Sequence, residues 1–393
     1  MLNTKEKEKN VEQPAYWSGV FAMTLCVFAL IASEFMPVSL LTPIAVDLSI
    51  SEGMVGQGIA ISGAFAVITS LTISRVVGNM NRKTLLLLLT ALMAVSGTIV
   101  ALAQNYMVYM IGRALIGVVI GGFWSMSAAM AMRLVPPSDV PRAMAIFNSG
   151  NALAMVIAAP LGSYLGSIIG WRGAFFCLVP VAILALIWQW ISLPVMQVIT
   201  DKNDKTPSIL GLLRNPIVMI GMLAVSLFFI GQFSIFTYVR PFLETITQVN
   251  ISTLSLILLG IGVMGFIGTC VITIFLERRF YATLIVIPIL MAAIAATLIF
   301  FGTSTTVVAV LLGLWGFLAT AAPVGWWSWL ARTLPEQAEV GGGLMVAVVQ
   351  LAIALGSTVG GILFDHSGYQ ATFVFSAVIL VISAFLTSRL TAQ

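Results

Sequence analysis

Along the chain, apolar stretches of membrane-spanning length alternate with short polar breaks. A helix needs about 20 predominantly apolar residues to cross a bilayer. This criterion predicts spans starting near Trp17, Glu52, Thr84, Tyr106, Val140 and Gly173, and six more near Pro216, Ser252, Tyr281, Thr305, Gln337 and Tyr369. The pattern therefore predicts an all-α integral membrane protein with twelve transmembrane helices. The one long polar stretch inside the chain carries Asp201, Lys202, Asp204 and Lys205 and falls between the sixth and seventh spans. It divides the chain into a tail (1–16), a six-helix bundle (17–196), a linker (197–213) and a second six-helix bundle (214–393).

The two bundles echo each other. Arg133-Leu-Val-Pro136 returns as Arg332-Thr-Leu-Pro335, an offset of 199 residues that also carries Gly162 onto Gly361 and Asn151 onto Gln350. A shared offset near half the chain length is the mark of an internal repeat. Parallel six-span repeats point to a transporter with its site between the halves.

Charge then fixes the orientation. With a cytoplasmic N-terminus, Lys5, Lys7, Lys9, Arg75, Arg82, Lys83, Arg133, Arg142, Lys202, Lys205, Arg214, Arg278, Arg279, Arg332 and Arg389 all fall inside, and only Arg172 and Arg240 fall outside. Basic residues concentrate on the cytoplasmic side of membrane proteins, so both termini are expected there. Composition agrees: 60% of the residues are hydrophobic and 8% charged, outside the range of soluble domains. The net charge of +4 is spread over these loops, so no nucleic acid is expected as a partner. Cys26, Cys177 and Cys270 sit in apolar segments and read as small buried hydrophobes, with no disulfide or metal site implied. The first apolar stretch is too long for a signal-peptide core and is expected to remain as the first span.

Two charges lie within spans. Arg113 is inside the fourth, where a charge at the bilayer centre costs roughly +2.5 to +3.5 kcal/mol on insertion scales, so it marks a functional hypothesis. At helical spacing Gly117, Ile120 and Trp124 share its face, with Gly121 at the edge, and this face reads as the wall of a cavity. Glu34, in the first span, has the apolar neighbours Met23, Val27, Leu30, Val38 and Leu41. A carboxyl so poorly solvated is a candidate proton carrier. Pro37, three residues on, removes a backbone donor. From the expected span ends, Glu34 and Arg113 lie roughly 13 and 10 Å below the outer surface at about 1.5 Å per residue. Ionised Glu34 is expected to pair with Arg113 and to release it on protonation; the alternative is an ion pair that only fixes helix packing.

In the tenth span Trp315, Ala319, Ala322, Trp326 and Trp329 share a face. Trp124, Trp315 and Trp326 either line a cavity suited to a flat ligand or pack between helices. Trp17, Trp171, Trp188 and Trp190 fit the interfacial belt. Asn151, Gln232 and Gln350 are uncharged polar groups inside spans, able to bond a ligand or a neighbouring helix. Arg240 and Glu244 read as a surface pair, and His366 beside Asp365 as an exposed histidine that binds no metal. Gly162, Gly166 and Gly170, and Gly356 and Gly360, allow close helix approach. The sequence has no GxxxxGK[ST] loop, no HExxH and no GxSxG, so neither ATP hydrolysis nor another enzyme activity is expected.

Twelve spans in two halves, Arg113-Ala-Leu-Ile-Gly117, and Gly170-Trp171-Arg172 with Phe175 resemble the major facilitator superfamily, specifically its twelve-span drug:proton antiporter branch. Within that branch, Glu34-Phe-Met-Pro-Val-Ser-Leu-Leu-Thr-Pro43, Gly121-Gly-Phe-Trp124, Met132-Arg-Leu-Val-Pro-Pro137, Gly231-Gln-Phe, Phe236-Thr-Tyr-Val-Arg-Pro241, Gly325-Trp326 and Glu336-Gln-Ala-Glu339 are similar to members that export purine ribonucleosides. The resemblance implies alternating access in a bacterial cytoplasmic (inner) membrane. It implies efflux of purine ribonucleosides such as inosine and guanosine in exchange for protons. It further implies a monomer that needs no cofactor beyond the proton gradient, with Glu34 and Arg113 in proton coupling. A sugar or multidrug exporter of the same branch is the alternative. The chain departs from the superfamily in two places. Ser74, Gly78 and Asn81 stand where the loop after the second span normally has an Asp and glycines, and the fifth-span antiporter motif is reduced to Ala159-Pro160-Leu-Gly162.

Overall fold

The computed structural model describes residues 15–390 except 79, 127–129, 131–132, 137–138, 197–208 and 335–337. Most of the expected N-terminal tail and linker, with Lys202 and Lys205, lies outside the described residues, as do Pro137, Pro335 and Glu336. All regular structure among the described residues is helical. The helices are α1 (Trp17–Leu48), α2 (Glu52–Val77), α3 (Arg82–Ala101), α4 (Tyr106–Trp124), α5 (Val140–Phe176) and α6 (Leu178–Ser192). After a single turn at Ile209–Leu212 follow α7 (Pro216–Phe236), α8 (Val239–Thr245), α9 (Ile251–Phe301), α10 (Thr305–Thr333) and α11 (Ala338–Arg389).

Short polar side chains set the helix starts. Ser51 Oγ accepts from Met54 N at 3.2 Å, Asn105 Oδ1 from Val108 N at 3.0 Å, and Asn250 Oδ1 from Thr253 N at 2.8 Å. Each satisfies a donor that the first turn leaves free. Asn81 does more, accepting from Lys83 N at the start of α3 and from Met196 N beyond α6. This is one of the positions where the chain departs from the superfamily's loop pattern.

Among the described residues, nine helices are long and apolar enough to cross a membrane. Three long helices are each interrupted by one residue of non-helical backbone: Gly170 in α5, Arg279 in α9 and Gly368 in α11. These breaks fall within three residues of the expected span starts at Gly173, Tyr281 and Tyr369. Gly170 (φ 74°, ψ 164°) and Gly368 (φ 79°, ψ 174°) share one conformation, in a region that L side chains rarely enter. Gly170 is thus a kink residue and not the close-contact glycine expected from its spacing, since no atom lies within 4 Å of where its Cβ would be.

Along the bundle, α1 packs on α5, α2 on α4 and α11, α7 on α11, and α9 on α10 and α5. The burial pattern is that of a protein immersed in lipid. Large apolar side chains face outward, including Ile191 at 79% and Phe300 at 81% exposure, whereas Arg113, Tyr109 and Tyr238 are among the largest fully buried side chains. Two sequence expectations change here. Cys26 is buried, but Cys177 and Cys270 are exposed, because apolar spans present part of their surface to lipid. Trp171 is no belt residue: it is buried between the rings of Tyr109 and Phe175, with the Arg172 guanidinium over its face.

Candidate functional site

Two prolines of α1 lay out the site. In an α-helix the carbonyl of residue i accepts from the N–H of residue i+4, and proline has none. Pro37 therefore frees the carbonyl of Ser33, and Pro43 frees that of Ser39. An arginine occupies each. Arg113 donates from Nη1 to Ser33 O at 2.7 Å, and Arg240 donates from Nη1 to Ser39 O.

The rest of the Arg113 guanidinium is also engaged. Nε donates to Gly58 O at 3.0 Å, and Nη2 donates to Glu34 O at 3.0 Å and to Ser62 Oγ at 3.2 Å. Glu34 and Arg113 therefore sit at one level, as their depths in the sequence predict. The expected ion pair between them is replaced by a different contact: Arg113 holds the main-chain carbonyl of Glu34, not its carboxylate. A planar fork of donors suits several carbonyls at once, which a point charge does not.

The Glu34 carboxyl turns the other way. Gln350 Nε2 of α11 donates to its Oε1 at 3.3 Å, and both side chains are buried. Beside this contact Phe35 stacks on Phe233 at 5.8 Å between ring centres and meets Phe236 edge-on. Gly63 lets α2 approach closely, since a Cβ there would lie 2.8 Å from Gln350 O.

Further polar contacts join helices before 197 to helices after 208. Thr358 Oγ1 donates to Gln57 Oε1 at 3.2 Å. Ser51 Oγ and Gly53 N both donate to the Asp365 carboxylate at the start of α2, where an anion is favoured by the free N–H groups and the helix dipole. The Tyr238 hydroxyl donates to Ser357 O at 2.7 Å and fills the space left by Gly56 and Gly361. With the Arg240–Ser39 bond, all of these lie between mid-bundle and the end where α1 finishes and α2 begins. Arg240 is thus not the surface cation expected: it is 4% exposed and paired with Glu244 at 2.8 Å. Neither Arg240 nor Asp365 is expected from the sequence as a contact between helices before 197 and helices after 208. The signal for Arg240 was present, because Pro43 announces an unpaired carbonyl four residues earlier.

The other sequence candidates are dispersed. Trp315 and Trp326 are buried in the apolar core with Trp329, whose ring fills the space beside Gly221. Gln232 is 6% exposed and its Oε1 has no hydrogen-bond partner. Trp124 and Asn151 are half-buried, on α4 and α5. The face of α4 expected to line a cavity packs instead on α2: a Cβ at Gly117 would lie 2.2 Å from Ser62 O, and one at Gly121 2.2 Å from Ala66 O. Bare backbone there serves helix contact, which the same spacing serves equally well. Among the described residues no group of His, Cys, Asp and Glu side chains is arranged to hold a metal ion.

The family model described as Major Facilitator Superfamily matches residues 23–356. The chain belongs to the Major Facilitator Superfamily. It is a membrane-spanning protein of a transporter family rather than an enzyme. It is 65% identical over 96% of its length to a Pseudomonas aeruginosa protein named "Transcription regulatory protein OpdE", covering 95% of that protein. It is 39% identical over 95% of its length to the "Purine ribonucleoside efflux pump NepI" of Salmonella typhimurium, covering 93% of it. Among solved structures it superposes on a bacterial homologue of the human lysosomal transporter Spinster with a TM-score of 0.77 at 15% identity, covering 97% of this chain and 98% of that one. It superposes equally on the nucleoside transporter NupG, with a TM-score of 0.77 at 12% identity, 95% of this chain and 98% of that one being covered. At such identities these two describe the fold alone.

Proposed function

We propose that the chain exports purine ribonucleosides and their analogues, inosine and guanosine among them, in exchange for protons across the bacterial cytoplasmic membrane. The observation that carries this reading is the 39% identity to a purine ribonucleoside efflux pump over nearly the whole of both chains. The architecture we infer has twelve spans. Each non-helical break, at Gly170, Arg279 and Gly368, is a reversal between two spans, and the matching conformations of Gly170 and Gly368, 198 residues apart, support an internal repeat. The halves are 17–196 and 214–393, joined by a cytoplasmic linker, with both termini in the cytoplasm. The end of the bundle carrying Ser51 and Asp365 then faces outward and is closed.

Glu34 acts as the proton carrier and Arg113 as the group that holds its main chain in place. Burial of Glu34 within the closed end, on the contact between the halves, supports a role in coupling protons to alternating access. Substrate meets Trp124, Asn151, Gln232 and Gln350 in the course of the cycle. Trp315 and Trp326, being packed in the core, reach it only if the tenth span shifts.

The name of the 65% identical relative favours a second reading, a regulatory one. Export and regulation are compatible, since a pump that lowers the internal level of an inducer alters gene expression without touching nucleic acid. Counterflow in proteoliposomes separates the readings. Unlabelled guanosine trapped inside is expected to drive uptake of labelled inosine, and excess external nucleoside to saturate it. Uptake no greater than in protein-free liposomes rejects nucleosides as substrates and returns the question to sugars, drugs or a purely regulatory role.

A further inference from the structure

The contact between Glu34 and Gln350 is half made. The amide nitrogen of Gln350 donates to the carboxyl, but its oxygen, Oε1, is buried without a donor. A buried acceptor left unpaired costs about 1–3 kcal/mol, so a native structure tends to supply a partner. Ionised Glu34 cannot be that partner, because a carboxylate only accepts hydrogen bonds. A protonated one can. A neutral carboxyl and a primary amide are complementary: the amide N–H donates to the carboxyl C=O while the carboxyl O–H donates to the amide C=O.

We propose that Gln350 is the positioning residue through which the second half of the chain reads the protonation of Glu34. This rests on the reading of Glu34 as proton carrier. With Glu34 protonated, the two side chains form a two-bond acid–amide pair that ties α1 to α11 and holds the outer end closed. When the proton leaves toward the cytoplasm, one bond is lost, the Gln350 oxygen faces a negatively charged group, and the outer end is free to open. The sense matches what an exporter driven by inward proton flow requires, since the protonated, empty carrier must close outside and open inside.

The surroundings single out this pair. Gly63 brings the backbone of α2 against that of Gln350, so the tie is made where the halves touch. Of the charged side chains on elements packed against α1 and α11, Arg142 and Arg172 of α5 meet α1 at Trp17 and Asp47, and Asp365 of α11 binds Ser51 and Gly53 at the start of α2; there remain Arg113 and Tyr109 of α4, Arg240 and Glu244 of α8, and Tyr238 before it. Arg240 and Glu244 bond each other, Tyr109 and Tyr238 bond main-chain carbonyls, and Arg113 is the one whose charge bears on Glu34. The guanidinium is already committed to carbonyls and Ser62, which leaves the proton-dependent change to Gln350.

The test reads the outer end directly and uses no substrate. Spin labels are placed at Val46 and Phe300, both exposed and at the outer end of different halves, in a background with the three native cysteines replaced. Their separation is measured by pulsed electron resonance in mildly acidic and mildly alkaline buffer. The wild-type sequence is expected to shift toward the short, closed distance in acid. Glu34→Gln, whose amide can make both bonds with Gln350, is expected to stay at the closed distance in both buffers. Gln350→Met is expected to lose the acid shift, as is Gln350→Asn, whose amide is drawn back by one methylene. An unchanged acid shift in both Gln350 variants, with Glu34→Gln insensitive to pH, overturns the proposal and leaves Glu34 as carrier. An unchanged shift in Glu34→Gln overturns the carrier reading itself.

Discussion

At the scale of residues, an arginine inside a membrane is paid for by the carbonyls it finds. Arg113 donates to three main-chain carbonyls and a hydroxyl, one of the carbonyls freed by Pro37. Hydrogen bonds involving a charged group are worth about 1.5–3 kcal/mol each, enough together to offset an insertion cost of roughly 3 kcal/mol. Lysine carries the same charge but has no fork, and it cannot reach Ser33, Glu34 and Gly58 at once. Arg113→Lys is therefore expected to destabilise the fold by about 2–5 kcal/mol, read as a fall of several degrees in the melting temperature of the detergent-purified protein. An unchanged melting temperature contradicts the account of how Arg113 is held. The sequence places Arg113 and Glu34 within spans and at one level. It did not reveal that Arg113 binds the main chain of Glu34, because side-chain direction depends on which neighbour supplies a free acceptor.

At the scale of elements, the same small-residue spacing has two readings, and the fold chooses between them. Gly117 and Gly121 share a face near Arg113 and look from the sequence like the wall of a cavity; in the structure α2 lies against them. What a Cβ at Gly117 meets is the Ser62 main chain, 2.2 Å from its oxygen, and a main chain does not rotate aside. Gly117→Ala is accordingly expected to cost about 1–3 kcal/mol or more as α2 and α4 are forced apart, measured by thermal melting followed by size-exclusion chromatography. Wild-type melting would mean that the helices are not in this contact. The indoles of α10 present a similar choice. Trp315, Trp326 and Trp329 line up as a face in sequence, and all three are buried in the core. Helical periodicity identifies a face; it says nothing of whether that face meets ligand or neighbour.

At the scale of the whole molecule, most of the architecture was legible. Apolar length and polar breaks predict an all-helical, membrane-spanning chain; twelve spans are expected from them, and among the described residues nine helices are long and apolar enough to cross, three of them broken at Gly170, Arg279 and Gly368 close to expected span starts. The ties between helices before 197 and helices after 208 were not legible, because Asp365 on the start of α2, Arg240 on Ser39 and Gln350 on Glu34 are each separated by hundreds of residues, and no local pattern pairs them. Those ties gather toward the end where α1 finishes and α2 begins and close the bundle on that side; in the orientation we propose, this is the state that loads substrate from the cytoplasm. We propose that a proton moving inward through Glu34 drives a nucleoside outward. Uptake of labelled inosine into inverted membrane vesicles tests it most directly, with an inside-acid gradient imposed and then collapsed, in the wild type and in Glu34→Gln. Inosine accumulation is expected to need the gradient and to be abolished in Glu34→Gln, while binding of inosine persists in the variant. Gradient-driven accumulation undiminished by Glu34→Gln, or no uptake above control vesicles by a folded wild-type protein, contradicts it.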